Sequence, residues 1–173
     1  FECALKERRG ACPEKSCIYP QVCPLLGLTH EHQLALLKAL QQVPGVRKVF
    51  IGSGIRHDMV MADAEYGEEY LQELVNYHVS GQLKLAPEHS QPAVLRRMRK
   101  PSVQSLLAFK QRFDALSKAA GKKQFLTYYL IAAYPGCTQE DMFALKRFAS
   151  EKLGVLPEQV QIFTPTPSTY ASL

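Results

Sequence analysis

The stretch Gln124-Phe-Leu-Thr-Tyr-Tyr-Leu-Ile-Ala-Ala133 is the clearest β-strand signal in the chain, because aromatic, branched and aliphatic residues follow one another almost without a break. Tyr134-Pro-Gly136 follows and predicts a turn. Thr138, with Asp141 three residues later, then predicts a capped helix that runs to about Lys152. A buried strand, a turn and a helix in this order form the repeating unit of an α/β protein.

The same unit recurs on the N-terminal side of this stretch. We predict helices near 29–42, 65–78, 92–99, 102–120 and 138–152, and strands at 46–51, 82–86, 124–133 and 160–163. Four strands joined by helical crossovers imply a parallel sheet. Residues 1–28 differ, since they hold four of the five cysteines and no long apolar periodicity. We therefore expect a cysteine-rich irregular segment at 1–28 and an α/β part at 29–173.

Length and composition fit one globular domain. The chain has 173 residues, of which 46% are hydrophobic and 21% charged, and this excludes disorder of the whole. No apolar run approaches the roughly 18–20 residues of a membrane span, and no signal peptide follows Phe1. We expect a cytoplasmic protein without a membrane partner. Because the chain begins with Phe1 and stops at Thr169-Tyr-Ala-Ser-Leu173, we also expect it to be a piece of a longer protein.

The segments that follow the predicted strands hold the candidate site. Ligands of parallel α/β proteins bind at the carboxyl ends of the strands, which here are residues 52–58, 87–90, 134–138 and 164–168. Ordinary turn chemistry explains any one of these loops, because Gly, Pro and Ser are the usual turn residues. Four such loops at one edge favour a polar ligand site, with these residues as chargeable groups: Arg56, Asp58, Glu88 and His89.

Three stretches resemble, in order, the later motifs of the radical S-adenosylmethionine (SAM) family. They are Leu85-Ala-Pro-Glu-His-Ser-Gln-Pro-Ala-Val-Leu-Arg-Arg-Met-Arg-Lys100, Ile131-Ala-Ala-Tyr-Pro-Gly-Cys-Thr-Gln-Glu-Asp-Met142 and Val160-Gln-Ile-Phe-Thr-Pro-Thr-Pro-Ser-Thr169. Together with Gly52-Ser-Gly-Ile-Arg56, they are most similar to the YgiQ-like branch of that family. The resemblance implies a partial (β/α) barrel, with residues 29–173 as the C-terminal portion of the radical SAM domain.

The resemblance also implies a set of SAM-contacting residues. Glu88 corresponds to the group that contacts the ribose, and an ionised carboxylate accepts short hydrogen bonds from a diol. Gly136 would allow a close approach of the backbone to the cofactor. The full implied set is Ser53, Arg56, Glu88, His89, Ser90, Ala132, Pro135, Gly136, Phe163 and Thr164.

The implied activity belongs to a full-length parent rather than to this chain alone. In the family, a [4Fe-4S] cluster and SAM produce methionine and a 5'-deoxyadenosyl radical, which abstracts hydrogen from a substrate that is unknown here. Three cysteines spaced C-x3-C-x2-C hold that cluster, whereas Cys3, Cys12, Cys17 and Cys23 lie 9, 5 and 6 residues apart. We expect the cluster ligands to lie outside this chain and the chain alone to be inactive.

The four early cysteines allow three interpretations. Four thiolates suit tetrahedral Zn²⁺ or an auxiliary iron–sulfur cluster, so Cys3, Cys12, Cys17 and Cys23 are candidate metal ligands. Disulfides formed in air and unligated thiols remain alternatives. Cys137, in a turn without an obvious base in sequence, is interpreted as a packed thiol.

Two other functional hypotheses compete with the radical SAM reading. The net charge of +5 and the basic cluster Arg96-Arg97-Met98-Arg99-Lys100 would suit a metal-stapled RNA-binding module, with salt-sensitive affinity and no response to SAM. An unrelated barrel enzyme would use Glu88 and His89 as acid and base. If the sheet lacks its N-terminal strands, its open edge predicts self-association.

Overall fold

A computed structural model of the chain describes residues 3–10, 12–13, 16–157 and 160–167. Its helices are α1 (Ala4–Arg9), α2 (Glu31–Gln41), α3 (His57–Ala62), α4 (Gly67–Glu73), α5 (Pro92–Arg97), α6 (Val103–Ala119) and α7 (Gln139–Phe148). Two of them, α4 and α7, continue as π-helical turns at Leu74–His78 and Ala149–Leu153. The strands are β1 (Gln82–Glu88), β2 (Phe125–Ala132) and β3 (Gln161–Ile162). Ser168 and Thr169, which end the third motif, lie outside the described residues.

The strands form one parallel sheet in the order β1-β2-β3, and this confirms the α/β class. The described strands number three, so the prediction of four was wrong. Residues 46–51 form no strand, and residues 46–52 make only isolated backbone hydrogen bonds beside β1. The amide of Ile51 donates to His78 O (2.8 Å), and the amide of Lys84 donates to Gly52 O (2.8 Å). Two bonds do not make a continuous ladder, although the segment lies where a further strand would pair.

The core lies between the sheet and the helices on one of its faces. Along β1 the side chains of Leu83 and Leu85 are buried, whereas Lys84 between them is exposed. The same alternation places Leu126, Tyr128 and Leu130 of β2 inside. These residues share one hydrophobic cluster with Leu106, Phe109 and Phe113 of α6. Burying each such side chain stabilises the fold by roughly 1.5–3 kcal/mol, so this cluster fixes the sheet against the helices.

Local sequence signals explain the helix that follows β2. Thr138 Oγ1 accepts a hydrogen bond from the Asp141 amide (3.2 Å), and Asp141 Oδ2 accepts one from the Thr138 amide (2.9 Å). This reciprocal capping box is the predicted one. Ser102 occupies the N-cap position of α6, but its side chain makes no capping bond.

Two helices, α1 and α3, were not predicted, because residues 1–28 were interpreted as irregular and residues 52–58 as a strand-end loop. That loop ends at Arg56, and α3 begins at His57. Within the described part of the chain, none of the helices combines the length and apolar character needed to cross a membrane.

Candidate functional site

The carboxyl ends of β1, β2 and β3 meet at one edge of the sheet, which we call the rim (residues 86–90, 132–137 and 163–164). Glu88 pairs with Leu130 across a bulge in the β1–β2 ladder. The amide of Phe163 donates to Ala132 O (2.9 Å), and the Phe163 ring packs edge-on against Tyr134, with centroids 4.8 Å apart. The structure therefore brings together the predicted site residues that follow three different strands.

The backbone of the rim is strained. Glu88 has φ of 67° and Ala133 has φ of 56°, in the left-handed region that residues with a Cβ rarely adopt. Arg99, with φ of 52°, is the third non-glycine residue with positive φ in the described part. Each such residue costs of order 1–3 kcal/mol, and this kind of strain concentrates at ligand sites. The location of Glu88 and Ala133 thus supports the rim as the functional region.

Glu88 is held in place by Lys100. The ammonium group of Lys100 lies 2.8 Å from Glu88 Oε1 and 3.4 Å from Ala86 O, and about one fifth of each side chain is exposed. Since an ionised carboxylate accepts through both oxygens, Oε2 keeps its capacity to bind a ligand donor. The pKa of Tyr134 is raised, first by burial and then by the negative charge of Glu88. The carboxylate therefore also acts electrostatically on a residue that follows β2.

Ser53 and Arg56 lie in the loop before α3, next to the same lysine. Arg56 donates from Nε and Nη2 to the two carboxylate oxygens of Asp58 (2.8 and 2.5 Å). Ser53, Arg56 and Lys100 line a cavity of about 290 Å³ together with residues of β1 and β2. Burial, opposed by Asp58, lowers the pKa of His57 to about 4, so this imidazole is neutral at pH 7. The cavity is thus lined by cationic side chains together with one neutral, buried imidazole.

His89 and Ser90 lie inside the rim rather than on its surface, since they are 1% and 4% exposed. The Gln91 amide donates to His89 Nδ1 (3.0 Å), so in the neutral ring Nε2 carries the proton. That nitrogen lies 3.5 Å from Cys137 Sγ. Burial lowers the pKa of His89 and raises the pKa of Cys137. The pair is therefore a neutral imidazole that donates to a neutral thiol, and it joins the loops after β1 and β2.

Sequence reasoning missed the His89–Cys137 contact, because the residues are 48 positions apart. The available signal was topological: both residues follow neighbouring parallel strands, so both belong to the same edge of the sheet. Pro135, Gly136 and Thr164 are exposed on that edge, and Ala132 and Phe163 are half-buried.

Gly136 is approached closely by the side chain of Arg97. Arg97 Nη1 donates to Gly136 O (3.0 Å), and a Cβ on Gly136 would lie 2.8 Å from Arg97 Cζ. Tyr134 Oη donates to Arg97 O (3.1 Å), which ties the end of α5 to the same turn. The close approach that Gly136 permits is used here by a guanidinium of the chain itself.

We expect Gly136→Ala to destabilise the fold more than Gly154→Ala does. Both glycines have positive φ (74° and 69°), but only Gly136 has a neighbour within 4 Å of the added Cβ. The left-handed backbone alone costs roughly 1–2 kcal/mol with a Cβ present. In an Arg97→Ala background the excess cost at Gly136 should disappear, and urea unfolding of the four variants measures it. If the two glycine substitutions cost the same free energy of unfolding in the protein that keeps Arg97, the Arg97 side chain does not press on this turn.

The structure does not bring the four early cysteines together. All are free thiols, with Cys12 and Cys17 exposed and Cys3 and Cys23 partly exposed. Among the described residues, no three His, Cys, Asp or Glu side chains are grouped so as to hold a metal ion. Cys12 and Cys23 line a cavity of about 930 Å³ whose wall includes Arg99. The described residues thus show no tetrahedral set of these thiols, and the metal site at Cys3, Cys12, Cys17 and Cys23 stays a prediction.

Fold and site together define an α/β protein whose polar, strained loops meet at the carboxyl ends of a parallel sheet. Its homologues are named UPF0313 proteins. One from Fusobacterium nucleatum is 52% identical over 173 residues, which is 100% of this chain and 30% of the relative. One from Thermotoga maritima is 45% identical over 170 residues (98% of this chain, 30% of the relative), and one from Methanosarcina mazei is 44% identical over 172 residues (99% and 27%).

The chain thus spans about three-tenths of the length of these relatives. No protein-family model matches it. The similarity covers 98–100% of the chain, so the rim lies within the part that the relatives share.

Proposed function

We propose that this chain is the SAM-binding part of a radical SAM enzyme of the YgiQ-like branch, whose substrate is unknown. The observation that carries the proposal is Glu88: a carboxylate on strained backbone at the end of β1, beside the end of β2. The order of the three motifs and the parallel sheet support it. Activity belongs to the complete polypeptide, and a cytoplasmic location is part of the same proposal, because reduced thiols suit a reducing compartment.

The groups at the rim are of the kinds that SAM requires. Glu88 Oε2 is an acceptor for a ribose diol while Lys100 holds Oε1. Ala132, Pro135 and Gly136 present backbone and small side chains, and the half-buried Phe163 ring offers an apolar wall. When bound, SAM and a reduced [4Fe-4S] cluster would supply a carbon radical for hydrogen abstraction.

The chain's own residues would orient the cofactor. Lys100 fixes the carboxylate of Glu88, and the His89–Cys137 hydrogen bond keeps the loops after β1 and β2 in register. Arg97 Nη1 donates to Gly136 O and so supports the turn at Gly136, and Arg97 O accepts a hydrogen bond from the Tyr134 hydroxyl. A site whose contact groups are fixed by neighbouring side chains loses less entropy when the ligand binds.

We expect Glu88→Gln to weaken SAM binding by about tenfold or more, because a hydrogen bond to a charged acceptor contributes about 1.5–3 kcal/mol. The experiment uses the complete polypeptide, reconstituted anaerobically with iron and sulfide and reduced with dithionite. Equilibrium dialysis before dithionite is added measures bound SAM, and mass spectrometry after reduction measures 5'-deoxyadenosine. Glu151→Gln removes a more exposed carboxylate far along the chain and serves as the control.

The two parts of the proposal fail separately. If the reduced, cluster-loaded protein forms no 5'-deoxyadenosine, the radical SAM assignment is wrong. If it does, but Glu88→Gln binds SAM as tightly as Glu151→Gln, only the role of Glu88 is wrong.

A further inference from the structure

A third cavity lies at the edge of the sheet opposite the rim. It has a volume of about 470 Å³, and its walls come from residues 47–50, 76–77, 79–80 and 122–124, with Gln41. Two of these segments directly precede β1 and β2, which begin at Gln82 and Phe125. The amino ends of parallel strands meet there, so we call it the amino-edge cavity. It shares no residue with the proposed SAM site.

The amino-edge cavity is strongly basic. Arg47, Lys48, Lys122 and Lys123 line it, and none of its lining residues is Asp or Glu. Lys122 Nζ donates to the carbonyl oxygens of Val75 and Asn76, so its ammonium group is already engaged within the fold. Arg47, Lys48 and Lys123 are exposed, and among the described residues none of them forms an ion pair. Three cations therefore remain available to a ligand.

Two aromatic rings stand among these cations. Phe50 and Tyr77 both line the cavity and are 51% and 57% exposed. Lys48 Nζ lies 5.9 Å from the centre of the Phe50 ring. Rings that project into a basic cavity offer flat faces for stacking, next to charges that suit phosphate.

We propose that the amino-edge cavity binds single-stranded nucleic acid, with phosphates on Arg47, Lys48 and Lys123 and a base stacked on Tyr77 or Phe50. This combination of backbone-tracking cations and stacking rings is how sequence-tolerant single-strand binding works. A concave basic site is favoured over a membrane contact because its rings lie in a cavity rather than on a flat face. The function goes beyond SAM chemistry and uses the opposite edge of the sheet.

The basic cluster at 96–100 is less suited to this role. Arg97 donates to Gly136 O, and Lys100 pairs with Glu88, so both charges are already used within the rim. The distribution of ion pairs, rather than the density of basic residues in sequence, points to the amino edge.

The test measures fluorescence anisotropy of labelled twelve-nucleotide oligo(U) and oligo(dT) with the complete polypeptide across a salt series. We expect Lys48→Gln with Lys123→Gln to weaken binding and to reduce the slope of log K against log salt by about 1.4, since each single-strand phosphate contact contributes about 0.7. Tyr77→Leu should weaken binding by about fivefold or more at an unchanged slope, because it removes stacking but no charge. Arg96→Gln with Lys118→Gln removes the same charge from exposed positions elsewhere and is the matched control.

Binding of either oligonucleotide with this pattern supports the site and tells whether RNA or DNA is preferred. The proposal is overturned if neither oligonucleotide binds, or if the control pair reduces affinity and slope as much as the Lys48 and Lys123 pair. If the Lys48→Gln and Lys123→Gln variant loses binding to anionic phosphatidylglycerol vesicles but binds the oligonucleotides unchanged, the surface is assigned to a membrane instead and the proposal is overturned. Tyr77→Leu keeps the test decisive if the double variant does not fold.

Discussion

Replacing Gly67 with alanine is expected to cost about 3 kcal/mol or more of folding stability, because an added Cβ has no space there. Gly67 is buried at the first position of α4. The new Cβ would overlap the Val60 carbonyl oxygen and would lie 3.2 Å from Asp63 Cβ and 3.3 Å from Val60 C. Two of these three atoms belong to the backbone of α3, so no side-chain rotation relieves the contact. The α3–α4 junction would have to open.

Urea unfolding at pH 7 measures this loss, with Gly52→Ala as the control. Gly52 is exposed, does not have the positive φ that disfavours a Cβ, and has no atom within 4 Å of an added Cβ. Its replacement should change the free energy of unfolding by no more than about 0.5 kcal/mol. If Gly67→Ala were as mild as Gly52→Ala, α3 and α4 would not pack as described. The result bears on the loop that holds Ser53 and Arg56, because α3 begins directly after Arg56.

The elements that the sequence predicted well carry their own local signals. For β2, the nearly continuous run of apolar and aromatic residues predicts a strand, and Thr138 with Asp141 predicts the start of α7. Glu88 could be placed at the rim because it follows a strand in a parallel sheet. Periodicity, capping residues and strand ends are all readable from neighbouring positions.

The features that were missed depend on contacts between distant residues. Helix α3 has six residues and no side-chain cap, and so short a helix is stabilised by packing rather than by its own propensity. Residues 46–51 have a strand-like composition but only isolated bonds to the rest of the fold. The contact of Arg97 with Gly136 and that of His89 with Cys137 likewise span 39 and 48 positions. The residue types at neighbouring positions do not reveal which distant residues will be in contact.

The second large effect is expected at Asp63, which links α2, α3 and α4. Its Oδ2 accepts from the amide (2.7 Å) and Nδ1 (2.8 Å) of His30, and its Oδ1 accepts from the amides of Glu65 (3.1 Å) and Tyr66 (3.0 Å). The carboxylate is buried, and the His30 ring packs 4.7 Å from Tyr70. Asp63→Ala leaves these donors without an acceptor, and each buried donor left unsatisfied costs roughly 1–3 kcal/mol.

The pH dependence separates lost hydrogen bonds from lost packing. Burial would raise the pKa of Asp63, but the bonds from Tyr66, His30 and Glu65 outweigh it and lower that pKa below its ordinary value. The stabilisation is therefore complete above the unfolded pKa of about 3.9 and is lost as the pH falls through the folded pKa. Urea unfolding should show a gap between wild type and Asp63→Asn that is constant at neutral pH and narrows below about pH 4. Asp114→Asn, at an exposed pair with Lys110, should cost less than about 1 kcal/mol; a gap at Asp63 that did not narrow in acid would mean that the charge of this carboxylate does not stabilise the junction.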